Sequence, residues 1–343
     1  MKKVLPTFIL ILFICPLFSQ DPNITQLINS VSADSLKKYT YTLASDEFAG
    51  RLANTPMDIK VSNCISSYFK QNGLMPVNHD SYFQKFPPLY NSKHQESLNI
   101  ELGVFPKKID FKTQNVIGII RGSDPNLGHI VVSSHHDHLG RYKDGKQIFH
   151  GADDNGSGTA ALIEMSRVAK IASIKGFKPK RTIVFISFDS EEFGLIGSDF
   201  YVNNPILPLD KVLCNVNLDM IGRIDSVHVG NKKQNDKYIY CIYKDSTKKV
   251  ITKDYLNSIN SSYTHLILDN YYDQASDNSR WANIIPRSDH YSFLKKGVPV
   301  VWLFSGLHKD YHKPTDTADK INYPLFSKRV QFALALIYDL AKI

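Results

Sequence analysis

Apolar residues recur along the chain with two different periods, and the change of period maps its elements. Leu36, Tyr39 and Leu43 are spaced i, i+3, i+7, which predicts a helix with one buried face over residues 35–43. Val61, Cys64, Ile65, Tyr68 and Phe69 predict a second helix over 59–70, and Gly73 suits its C-terminal end. Residues 76–113 are polar and irregular, with short strand-like pieces such as 82–86. Beyond them come near-continuous apolar runs rich in β-branched residues, at 115–120, 129–133, 182–188, 212–218 and 298–304. Such runs suit strands covered on both faces. Helical spacing returns with Ala161, Leu162, Met165, Val168 and Ala169 over 158–172, and with Val330, Ala333, Leu334, Ile337 and Leu340 over 324–341. Strands alternating with helices predict an α/β fold, a mostly parallel central sheet flanked by helices. Residues 224–290 are polar and Tyr-rich with a weak strand pattern, readable as a lid over a site or as an edge of the sheet. No internal repeat and no Ser- or Gly-rich linker divides the chain, so a single domain is expected.

The N-terminus follows a different pattern. Lys2 and Lys3 precede the apolar run 8–14, which falls well short of the ~20 residues that span a bilayer. A basic start, a short apolar stretch and a small residue at Ser19 predict a signal peptide over 1–20 and a mature domain over 21–343, secreted or periplasmic. Cys15 offers a lipid anchor as the alternative, but Ile14 and Pro16 flank it poorly for that modification. No other run is long enough for a transmembrane span in the mature chain. Losing Lys2 and Lys3 and no acids takes the formal net charge from +8 to +6. The basic residues are scattered, without the dense stripe that marks a nucleic-acid partner. With 43% hydrophobic and 22% charged residues the chain is globular rather than disordered. Four cysteines cannot staple 343 residues, so an apolar core must hold the fold. Cys64, Cys214 and Cys241 remain after cleavage, and no bridge is predicted among them.

The informative polar residues lie just after the predicted strands. The second strand is followed by His135-His136-Asp137-His138, and then by Gly151-Ala152-Asp153-Asp154-Asn155-Gly156-Ser157-Gly158, which opens a helix. Glu191-Glu192 follows the third strand, Asp219 the fourth, and His308 to Thr317, with His312, the fifth. Each alone has an ordinary explanation: a solvated turn, an acidic helix cap, an exposed acidic pair. In an open α/β sheet, however, sites form at the carboxyl ends of the strands, where all five clusters would meet. Convergent carboxylates persist only when protonated or bound to cations. With imidazoles among them and no thiolate, the expected cations are divalent and borderline, zinc first. Two Zn2+ balance three carboxylates and a bridging hydroxide.

These ordered motifs, together with Ser45-Asp46-Glu47-Phe48-Ala49-Gly50-Arg51, resemble the secreted bacterial two-zinc aminopeptidases. That family also includes glutamate carboxypeptidase II and the glutaminyl cyclases. The likeness runs from about Leu43 to the C-terminus, and the combination of motifs is specific where no single one is. It implies a single zinc-peptidase domain of phosphorylase/hydrolase-like fold. It also implies metal ligands at His135, Asp153, Glu192, Asp219 and His312, with Asp153 bridging two zinc ions and a cis peptide following it. Glu191 would be the general base, and Asp137 would bond His135 and fix its tautomer. His136, where a tyrosine is common, would be no ligand. Arg287-Ser288-Asp289-His290 resembles a segment on the substrate side, which makes Arg287, Asp289 and His290 candidate substrate residues. Asp316 would cap the last helix or bond His312.

The implied function is a metallo-exopeptidase acting on peptide substrates, an aminopeptidase first. A carboxypeptidase or dipeptidase on the same site is the alternative, with Arg287 or Arg141 holding the substrate carboxylate. A one-zinc glutaminyl cyclase is a further rival, disfavoured because cyclases lack the Asp-Asp-Asn-Gly-Ser-Gly sequence. A non-catalytic binder would have no need of both ligands and base. The 28 residues 87–114 leave no room for the protease-associated insert that many relatives carry there.

Overall fold

The computed structural model describes residues 22–87, 113–142, 145–230, 237–272 and 283–342. The expected signal segment 1–20 lies outside them, as do most of the short stretch 87–114 and residues 273–282 within the 224–290 region. Eight described strands form one sheet: β1 (Phe83–Phe86), β2 (Thr113–Ile120), β3 (His129–His135), β4 (Thr182–Phe188), β5 (Val212–Leu218), β6 (Tyr238–Lys244), β7 (Ile267–Asp269) and β8 (Val300–Phe304). Their order is β1-β2-β4-β3-β5-β8-β6-β7. The four central strands β4-β3-β5-β8 run parallel, while β1, β2 and the β6 pairing to β8 are antiparallel. The predicted α/β sheet is therefore parallel where the polar clusters fall and mixed at its flanks.

Helices cover both faces. On one lie α1 (Pro22–Ile28), α2 (Ala33–Leu43), α3 (Pro56–Gln71), α4 (Gly156–Ile174), α6 (Lys253–Tyr263) and α8 (Tyr323–Leu340); on the other lie α5 (Ile196–Asn203) and α7 (His290–Lys295). Each central strand supplies alternate side chains to the two cores. Ile130 and Val132 pack with Leu162, Met165 and Leu334, while Val131 packs with Val184, Tyr201 and Phe293. Burial on both sides is why these strands read as unbroken apolar runs. The 224–290 region, within its described part, is an edge: β6 pairs with β8, β7 pairs with β6, and α6 packs on α8. Its strand signal was weak because Tyr238 and Tyr240, polar to a sequence reader, are fully buried with their hydroxyls on Asp225.

Candidate metal centre and active site

Parallel strands end on the same side, so the residues following β3, β4, β5 and β8 meet at one edge of the sheet. His135 is the last residue of β3, Glu191 and Glu192 follow β4, Asp219 follows β5, and His312 lies on the loop after β8. The fifth contributor is the turn before α4. There Asn155 is the N-cap, its Oδ1 accepting the Gly158 N–H at 2.9 Å, and its Nδ2 donates to the Leu218 carbonyl at 3.0 Å. A side chain at Gly158 would strike that same carbonyl, so glycine is needed where α4 starts against the end of β5.

The carboxylate at the centre is Asp154, not Asp153. Asp154 Oδ1 lies 3.6 Å from His135 Nε2, and its Oδ2 lies 3.1 Å from His312 Nε2. Asp219 Oδ1 completes the first group at 3.6 Å from His135 Nε2, and Glu192 Oε2 the second at 3.2 Å from His312 Nε2. Asp153 turns away: its Oδ1 accepts the Gly222 N–H at 2.7 Å and its Oδ2 faces His308 Nε2 at 3.3 Å. The cis peptide bond likewise falls one residue later than expected, between Asp154 and Asn155. Two adjacent acids before a helix fit the same motif, and spacing alone cannot choose between them.

The remaining candidates separate into those that face the cavity and those that build it. Glu191 Oε2 is 3.8 Å from His135 Nε2, on the first group's side. Asp137 sits 3.5 Å from His135 Nδ1 and accepts the backbone N–H of Glu191 and Glu192 at 3.0 and 3.2 Å, so one carboxylate orients both a ring and the adjacent acidic pair. His138, read only as part of a cluster, contacts Glu192 Oε1 at 2.7 Å. Asp316 neither caps α8 nor bonds His312: its Oδ2 accepts the N–H groups of both Asp153 and Asp154, at 3.0 and 3.1 Å. Ser288 donates to Asp219 Oδ2 at 2.6 Å. Arg51, in the leading motif, is buried and donates to the carbonyls of Leu43, His136, His150 and Gly151, tying that motif to two of the site's loops. His136 faces Asp58 at 3.4 Å in a separate buried cluster with Asp189.

A cavity of about 360 Å³ opens over these groups, lined by Asp154, Glu191, Glu192, Asp219 and His312 and by Arg287, Trp302 and Phe304 among others. Of the three substrate-side candidates, Arg287 alone lines it. His290 is buried behind Trp302, with ring centroids 4.6 Å apart, and Asp289 is buried as well. Asp289 is the N-cap residue of α7, and its side chain makes no cap bond to that helix.

Charge decides what this cluster can hold. Burial pushes the Glu191 carboxyl well above the ordinary carboxylate range; His135 opposes this, and Glu192 and Asp219 add repulsion. Burial also raises Asp219. For His135 burial favours the neutral ring, but Glu191 and Asp219 outweigh it and hold the imidazole well above its usual value. His312 is raised to about 11, burial again being overcome by Glu192 and Asp154. The protein alone thus retains protons where cations belong. Buried atoms without a hydrogen-bond partner include His135 Nε2, Asp154 Oδ2 and Asp219 Oδ1. Donor spacings of 3.1–3.6 Å in the two groups are close to the edge of a tetrahedron with bonds near 2.0 Å, roughly 3.3 Å. Nitrogen and oxygen donors without thiolate, so spaced, fit zinc.

A parallel α/β sheet with buried His and carboxylate donors at its carboxyl edge is the arrangement of a metallopeptidase. Residues 115–337 match the family described as Peptidase family M28, and the chain belongs to it. Over 235 residues it is 28% identical to a probable glutamate carboxypeptidase VP8 of Zea mays, covering 67% of this chain and 29% of that one. Across eight curated relatives the chain spans between 17% and 47% of their length. Among solved structures, the LapA aminopeptidase of Legionella pneumophila superposes with a TM-score of 0.66 at 21% identity, over 93% of this chain and 75% of that one. The glutaminyl cyclase of Porphyromonas gingivalis gives 0.62 at 17% identity, over 89% and 96%. At these identities the structural likeness is one of fold. No described helix is long and apolar enough to cross a membrane.

Proposed function

We propose that the protein is a secreted aminopeptidase with two zinc ions, its signal peptide at 1–20 and its catalytic domain at 21–343. The observation that carries this reading is the divided Asp154 carboxylate, with one oxygen toward His135 and Asp219 and the other toward His312 and Glu192. His135, Asp154 and Asp219 would hold one ion; His312, Asp154 and Glu192 would hold the other. When bound, the zinc pair supplies Lewis acidity toward the scissile carbonyl and lowers the pKa of the attacking water.

The chain's own residues perform the rest. Glu191 takes a proton from the attacking water and returns it to the leaving amine; burial pushes its carboxyl above the ordinary carboxylate range. Asp137 fixes where that base stands, through the Glu191 N–H, and restrains the His135 ring. His138 and Ser288 hold Glu192 and Asp219 by their remaining oxygens, and Asp316 holds the Asp154 backbone. The test is turnover of aminoacyl-p-nitroanilides against the same compounds with the amine acetylated. Cleavage confined to the free amines supports an aminopeptidase; equal cleavage of both would overturn that assignment.

A further inference from the structure

Arg287 is the one arginine or lysine lining the catalytic cavity among the described residues. No described carboxylate pairs with it: neither ion pairs nor side-chain hydrogen bonds of its guanidinium occur among the described residues, although the same cavity is lined by four carboxylates. An arginine serving only to balance those acids would lie against one of them. Its backbone is nonetheless held in place. The Arg287 N–H donates to the Ile284 carbonyl at 3.0 Å, and neighbouring Ser288 is clamped between Asn217, at 2.7 Å, and Asp219, at 2.6 Å. Arg287 thus lines the cavity from a segment fixed to a metal-group residue, and Ile284, Trp302 and Phe304 line the same cavity. Arg141, the other candidate cation, lies outside the cavity and reaches only the Gly145 carbonyl, at 3.4 Å.

We propose that Arg287 anchors a substrate carboxylate, so that the site prefers short peptides carrying one, on an acidic first side chain or at the C-terminus of a dipeptide. The proposal rests on the peptidase reading above and names its substrate class. A guanidinium offers two parallel N–H groups that match a carboxylate in planar, paired geometry. A carboxylate and its amide have nearly the same shape, so comparing them isolates charge from fit.

Two substrate pairs distinguish the sources: glutamyl- against glutaminyl-p-nitroanilide for the side chain, and Ala-Ala against Ala-Ala-amide for the terminal carboxylate. Each pair is compared twice, by kcat/KM on the zinc-loaded enzyme and by calorimetric binding to zinc-loaded Glu191→Gln protein. In at least one pair the acid is expected to exceed its amide by about tenfold or more, the size of one charge-assisted contact. Arg287→Ala should bring that ratio close to one, and Arg287→Lys should leave it in between. Acid and amide binding equally in both pairs, or a preference that survives Arg287→Ala, overturns the proposal. If no pair is cleaved, the peptidase reading fails, while the binding ratio still decides the role of Arg287.

Discussion

At the scale of single residues, the account makes Glu191 and Glu192 neighbours with different duties. Glu192 shares His312 with Asp154 and meets His138, while the Glu191 side chain faces His135. Glu191→Gln should lower kcat by roughly 10²–10⁴-fold, the usual worth of a general base, while metal content measured by atomic emission stays unchanged. Loss of metal together with activity would show a ligand instead. Asp153 and Asp154 give a sharper contrast. Asp154→Asn should weaken retention of both ions, and Asp153→Asn should leave the metal count intact, because Asp153 acts on Gly222 and His308. The reverse order of losses would restore Asp153 to the bridge. Residue types and their order along the chain carried most of the site: His135, Glu191, Glu192, Asp219 and His312 all reach one cavity edge or its wall. What one sequence could not decide was which of two adjacent acids turns inward. That depends on the hydrogen bonds of Asn155 to Leu218 and Gly158, which become visible only in three dimensions.

At the scale of elements, the loops at the carboxyl edge hold one another. Asp316, beyond β8, fixes the turn before α4 through two backbone N–H groups. Partners behind a ligand typically contribute 10–100-fold in metal affinity, so Asp316→Ala should raise the zinc dissociation constant by about that factor in a competition titration with a chelator. An unchanged constant would mean that α4 positions Asp154 unaided. The strands themselves were legible because they are apolar on both faces, whereas β6 was not, because its buried tyrosines depend on Asp225 and its pairing on β8, and β7 is a half-buried strand of three residues that pairs with β6. The amino end of β3 carries a different consequence. Burial, with Lys248 adding repulsion, lowers His129 to about 4. Above pH ~6.5 this ring is neutral in both folded and unfolded chains and does not affect stability. As pH falls through that value the unfolded chain takes up a proton that the folded one refuses until about 4, which costs up to about 3 kcal/mol of stability. Thermal melts should therefore drop in Tm between pH 6.5 and 4, less steeply in His129→Gln. Parallel slopes for the two proteins would contradict this.

At the scale of the whole molecule, the fold places the donors by topology. Four parallel strands end together, and the His and carboxylate clusters that follow them in sequence are far apart along the chain but adjacent in space. Helices on both faces bury the sheet, and at its carboxyl edge the strand-end carboxylates gather over a cavity of about 360 Å³. The described cysteines, Cys64, Cys214 and Cys241, are all free, so the core and the loop hydrogen bonds hold this edge without a disulfide among the described residues. The fold is shared with cyclase and aminopeptidase neighbours alike, so the proposed two-ion site about the divided Asp154 carboxylate is what would distinguish the reactions here. The most direct measurement is the zinc content of the mature protein alongside hydrolysis of aminoacyl-p-nitroanilides with and without a chelator. The account predicts two zinc ions per chain and release of the anilide that stops when zinc is withdrawn and returns when it is restored. One zinc per chain with no release would contradict it and point to the cyclase chemistry instead.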